Sequence, residues 1–141
     1  MLRDSMQKTS NFAVEWAPRL LSILRIVVAL LFLQHGMQKM FGFPVPPASG
    51  LPAMLTLGWY AGVIELVGSV LVLIGLFTRP AALIMSGEMA FAYWIAHAPR
   101  SPFPIVNGGD GAVLYCFAFL YIAFAGAGPW AIDRAPGRAL A

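Results

Sequence analysis

From Leu20 onward the chain is a series of apolar runs broken by short clusters of proline, glycine and polar residues. The first run extends from about Arg19 to Phe41, and the uncharged segment Phe43–Pro52 that follows holds Pro44, Pro46, Pro47 and Pro52, which exclude a regular helix. A second run covers about Leu55 to Phe77. Thr78-Arg79-Pro80 then leads into a third that reaches about His97, and so short a connection predicts an antiparallel helical hairpin. After the loop Pro99–Pro104 and the turn Asn107-Gly108-Gly109, a fourth run spans about Asp110 to Ala125 and is stopped by Gly126, Gly128 and Pro129. At about 20 residues per bilayer crossing, this pattern predicts an all-α, integral membrane four-helix bundle.

Residues 1–18 mix Arg3, Asp4, Lys8 and Glu15 with Phe12, Val14 and Trp16, which reads as a cytoplasmic N-terminal tail or interfacial segment, with Pro18 at the first position of the first membrane helix. Residues 19–133 form the expected four-span domain and 134–141 a cytoplasmic C-terminal tail. The first apolar run starts late and ends in Gln34-His35-Gly36 rather than in a small-residue cleavage site, so it is expected to stay as a membrane helix.

Composition sharpens this picture. Of 141 residues, 60% are hydrophobic and 11% charged, against roughly 45–50% and about 25% in a soluble domain, which excludes a disordered chain and leaves no length for a second domain. The net charge of +3 comes without a basic stripe interleaved with aromatics, so nucleic acid is not an expected partner. Instead the basic residues divide by side: Arg3, Lys8, Arg19, Arg79, Arg134 and Arg138 fall at one end of the predicted spans, and Lys39 and Arg100 at the other. The excess predicts that both termini are cytoplasmic. Cys116, the single cysteine, lies in an apolar run and reads as a small buried hydrophobe.

Ionisable side chains within spans cost about 2.5–3.5 kcal/mol each on insertion scales, so they turn inward and find partners. Arg25, Glu65 and Glu88 are such residues, with His35 and Lys39 nearer a span end. At a rise of ~1.5 Å per residue, Arg25 and Glu88 fall at similar depth, which predicts a buried ion pair. Glu65 lies midway, within reach of His35 or an inward-turned Lys39. Helical phase adds that Gly58, Gly62, Glu65 and Ser69 share one face at ~100° per residue, a small-residue stripe that admits a close neighbour. His35, Lys39 and Glu65 are therefore the candidate lining of a polar pocket, with His35 expected as the hydrogen-bonded partner of Glu65. His97 and Asp110 are candidate polar groups at the outer ends of their spans, Asp110 as a helix N-cap. Neither an H-x-x-x-H nor an E-x-x-H spacing occurs, so no metal site is expected.

The order of motifs resembles the DoxX family of small four-span membrane proteins over about Arg19 to Asp133. The residues are Arg25, His35-Gly36 and Lys39, Glu65-Leu66-Val67-Gly68, Gly75-Leu76-Phe77-Thr78-Arg79, His97, Gly108-Gly109 and the stretch from Gly126 to Asp133. Family members often carry a glutamate after the paired glycines, where this chain has Asp110. The resemblance implies a bacterial inner-membrane protein, a component of quinone-linked or redox-stress metabolism, with quinone as the candidate ligand. Its thiosulfate-oxidising relatives act as one part of a two-component enzyme, so the resemblance does not by itself imply independent catalysis. No flavin, nicotinamide or haem motif is present. The alternative readings are an accessory or assembly protein that binds other membrane or redox proteins, with the chain able to form oligomers, and then a small transporter.

Overall fold

The computed structural model describes the backbone of residues 2–134 and the side chains of 12–133. The expected C-terminal tail, 134–141, lies outside the described side chains. Helix α1 runs Leu2–Phe41, α2 Leu57–Ile74 and α3 Thr78–Ala92, which continues into a π-helical turn, Tyr93–His97; the short α4 is Pro104–Asn107, α5 is Asp110–Ala125, and a 3₁₀ turn closes at Ile132–Arg134. Among the described residues there is no strand.

One boundary and one helix end differ from the sequence expectation. Helix α1 does not begin at Pro18 but passes through it, so the backbone of residues 2–17 is helical and continuous with the first span. Its 40 residues extend about 60 Å at ~1.5 Å per residue, twice a hydrocarbon core. The third helix reaches His97 as expected, but its last turn widens, with Ala98 N–H donating to the Tyr93 carbonyl five residues back.

The four long helices close on one another in the order α1 on α2, α2 on α3, α3 on α5 and α5 on α1. Their shared centre is Phe32, with its ring centroid 4.9 Å from Phe119 and 4.8 Å from Tyr115, surrounded by Ala29, Val72, Ala82, Met85 and Ile122. The outside is equally apolar: Leu24, Val27, Leu31, Val67, Leu83, Ile84, Phe91, Leu114, Phe117, Tyr121 and Phe124 are all exposed. A soluble monomer seldom exposes so large a contiguous apolar surface, whereas lipid covers it. By length and composition, Phe12–Phe41 and Leu57–Ile74 suffice to cross a bilayer, and Asp110–Ala125 is a shorter apolar helix.

At the α2–α3 turn, buried polar groups tie helix ends together. Gly75, at φ 71°, ends α2 in a Schellman arrangement, with Leu76 N–H donating to the Leu71 carbonyl and Gly75 N–H to Val72. The Arg25 guanidinium then donates from α1 to the Val72 and Leu73 carbonyls, to Ala127 at 2.8 Å and to Trp130. Asp133 accepts the Phe77 and Thr78 amides at 3.0 Å each, which caps α3. Arg79 donates to the Phe124 carbonyl near the end of α5. The segment after Gly126 thus returns across the turn and is held by side chains from α1 and its own Asp133.

Candidate functional site

The site is assembled where α1 and α2 come closest. A Cβ added at Gly36 would stand 2.6 Å from the Leu66 amide nitrogen and 2.8 Å from its Cα, and one at Gly62 would stand 3.0 Å from the Lys39 Cβ. Glycine at 36 lets the two backbones touch, and glycine at 62 leaves room for the stem of Lys39. Between these contacts, Lys39 Nζ donates to Glu65 Oε1 at 2.5 Å. Glu65 is 2% exposed, while the Lys39 side chain keeps 30%. Lys39 therefore turns inward instead of snorkelling to the span end. The α2 face that carries Glu65 is the predicted one, with Gly62, Gly68 and Ser69 buried beside it.

This pair forms one wall of a cavity of about 320 Å³ bounded by α1, α2, α3 and α5. Phe32 and Met89 contribute apolar surface; His35, His97 and Tyr115 contribute polar groups. Glu65 Oε2 is buried and has no hydrogen-bond partner, although buried polar atoms are generally paired.

His35 stands at this cavity and is exposed. It does not partner Glu65: its ring packs edge-on to Tyr115 at 5.8 Å and against Phe32 at 5.8 Å, while Lys39 takes the acid. One helical turn separates His35 from Lys39, and the longer, flexible lysine is the side chain that reaches α2.

The expected Arg25–Glu88 pair does not form. Equal depth along two helices says nothing of direction around them. Arg25 faces the helix ends at the α2–α3 turn, where carbonyl oxygens take its donors. Glu88 faces a different cavity, and both its carboxyl oxygens are buried without a partner.

His97 lines the main cavity, with Nδ1 3.1 Å from the Asn107 carbonyl oxygen. Asp110 is not an N-cap; Gly109 holds that position, and Asp110 follows it, exposed, in the first turn of α5. The group that organises this loop is Asn107, which is 3% exposed. Its amide nitrogen donates to the Ser101 carbonyl at 2.8 Å and its oxygen accepts the Gly109 amide at 2.7 Å. The Asn-Gly-Gly turn signal marked this position, but the buried side chain carries more than the turn. Among the described residues, no three His, Cys, Asp or Glu side chains come together as a metal site.

The DoxX family model matches residues 20–98. A protein of Haemophilus influenzae is 48% identical over 132 residues, covering 88% of this chain and 96% of the relative. The chain belongs to the DoxX family. A membrane protein of Mycobacterium tuberculosis is 29% identical across 92% of this chain and 93% of its own length, and the inner membrane protein YphA of Escherichia coli is 30% identical across 83% and 90%. No solved structure matches. This DoxX protein is therefore a membrane protein. The matched segment contains Arg25, His35, Lys39, Glu65, Glu88 and His97; Tyr115 and Asp133 lie beyond it.

Proposed function

We propose that this DoxX protein is an inner-membrane component whose cavity binds the polar head of a lipid-soluble small molecule, with a quinone as the first candidate. The observation that carries the reading is the Lys39–Glu65 pair on the wall of a 320 Å³ cavity, with Glu65 Oε2 left unpartnered. Small-molecule sites are mostly apolar spaces of about 300–1,000 Å³ with a few converging polar groups, and this cavity follows that pattern. The residues present fit a quinone head: the Lys39 ammonium is a donor for a ring carbonyl, the Tyr115 hydroxyl is a second, and Phe32 and Met89 supply apolar contact. A bound quinone would supply two-electron, two-proton acceptance. The chain's own contribution is to hold the ring, exclude water and keep a carboxyl beside it as a proton-handling group.

In this reading all four long helices cross the bilayer and both termini are cytoplasmic, which the distribution of basic residues supports. The Pro-rich loops then face outward and the cavity lies towards that side. Purification in mild detergent followed by native mass spectrometry tests the proposal. A small molecule retained by the unaltered protein and absent from an equal amount of folded Glu65→Gln supports it. Retention of copurifying proteins with no small molecule favours an accessory role instead.

A further inference from the structure

A second cavity, of about 300 Å³, lies between α2 and α3. It shares Lys39, Met89 and Ala92 with the head-group cavity, so the two spaces adjoin and these side chains part them. Lys39 and Met89 are unbranched, and methionine adapts readily to the shape of its surroundings. The other walls of the second cavity include Leu57, Tyr60, Ile64, Ile84, Phe91 and Ile95, of which all but Ile64 are exposed on the outside of the helices. This cavity is therefore an apolar slot that leads from the head-group cavity to the lipid. Glu88 borders it with both carboxyl oxygens buried and unpartnered, as Glu65 Oε2 is in the first cavity. Unpaired carboxyl oxygens thus stand in both of the spaces that Lys39 borders. Across the bundle, between α1 and α5, the head-group cavity adjoins a cleft of different character: His35 and Tyr115 belong to both, and Gln34 and Gln38 make the cleft polar.

We propose that the two cavities form one site for a single-tailed molecule, whose polar head lies against Lys39 and Glu65 and whose hydrocarbon tail passes through the slot between α2 and α3 into the bilayer. The proposal rests on the head-group reading of the Glu65 cavity and adds to it the path of the tail. Continuity selects the occupant, because a head seated at Lys39 already stands at the partition between the two spaces. Polarity selects the direction: a hydrocarbon chain laid in the α1–α5 cleft would take water from the Gln34 and Gln38 amides and return no hydrogen bond, whereas the α2–α3 slot asks for no such loss. Lipid is as apolar as the slot, so the slot's contribution is passage, letting the head reach the cavity with its tail attached. Gly87 keeps that passage open. It lines the slot, and a Cβ added there would meet no atom within 4 Å, so a larger side chain at this position enters the slot without displacing a neighbour.

The test uses the full chain in lipid nanodiscs and two probes with the same head: duroquinone, which has no tail, and its homologue with one methyl replaced by a decyl chain. Every ring position is substituted in both, so neither adds to the Cys116 thiol. Binding is followed by ligand-observed NMR, with empty nanodiscs subtracted to remove partition into lipid. Gly87→Leu should weaken the decyl compound at least tenfold and change duroquinone less than twofold, while Glu65→Gln should weaken both. If Gly87→Leu affects both compounds alike or neither, while Glu65→Gln still weakens both, the slot is filled by bilayer lipid alone and the proposal is overturned with the head-group reading intact. If Gly87→Leu acts on the decyl compound only and Glu65→Gln on neither, the tail path stands and the head-group reading fails. Absence of saturable binding by either compound overturns both. Should Gly87→Leu fail to fold, Ala61→Leu, which narrows the slot from the α2 side, decides between the same outcomes.

Discussion

Lys39 and Glu65, 26 positions apart in sequence, meet at 2.5 Å only because Gly36 and Gly62 allow α1 and α2 to touch on either side of them. The pair is thus a product of two missing side chains as much as of two charged ones.

Removing one member should reveal how strongly the two are coupled. Breaking a buried pair on one side costs about 3–5 kcal/mol, and the partial exposure of Lys39 places Lys39→Met near the lower end. The double variant Lys39→Met/Glu65→Gln should recover part of that loss, because no buried charge is left alone. A thermal-melt double-mutant cycle checks this, with a coupling energy well above the ~0.5 kcal/mol scatter of independent sites.

Adding one methyl group at Gly36 should act on the same pair from a distance. Gly36→Ala forces α1 and α2 apart, with an overpacking cost of about 1–3 kcal/mol, and should lower the melting temperature measurably. Gly87→Ala, where the new atom meets open space, should leave it nearly unchanged.

Arg25 should behave as a clamp on helix ends and be indifferent to Glu88. Each buried carbonyl left without its donor costs about 1–3 kcal/mol, so Arg25→Met should sharply reduce folded yield. Arg25→Lys should rescue little, because one ammonium cannot reach the Val72, Leu73, Ala127 and Trp130 carbonyls together. The effects of Arg25→Lys and Glu88→Gln on melting should add to within about 0.5 kcal/mol; strong coupling would restore the pair expected from depth alone.

The topology can be read by cysteine labelling in a Cys116→Ala background. Ser49→Cys in the first Pro-rich loop should react with an impermeant thiol reagent added to intact cells, and Pro80→Cys at the α2–α3 turn should react only after the membrane is opened. The reverse pattern would invert the orientation.

Much of this was legible in the chain itself. Apolar run length and the Pro- and Gly-rich breaks located α2, the α2–α3 hairpin and α5 to within a few residues, because helix-breaking chemistry is local. The inward face of α2 followed from the spacing of Gly62, Glu65 and Ser69. What the sequence could not supply was azimuth between helices. Arg25 and Glu88 share a depth yet point to different spaces, and His35 lies one turn from Lys39 yet meets Tyr115. The partners of Arg25 were hidden for a further reason: they are backbone carbonyls, which every residue carries and no motif marks. Asp133 as the cap of α3 was equally hidden, since the returning segment after Gly126 brings it 55 positions back.

The central claim, a head-group site built on Glu65, is tested most directly by titrating a short-chain quinone into the purified protein and into Glu65→Gln at a temperature where both are fully folded, with binding followed by ligand-observed NMR. The account predicts saturable binding to the unaltered protein, weakened at least tenfold by the substitution. Equal affinity in the two proteins, or no saturable binding in either, would contradict it.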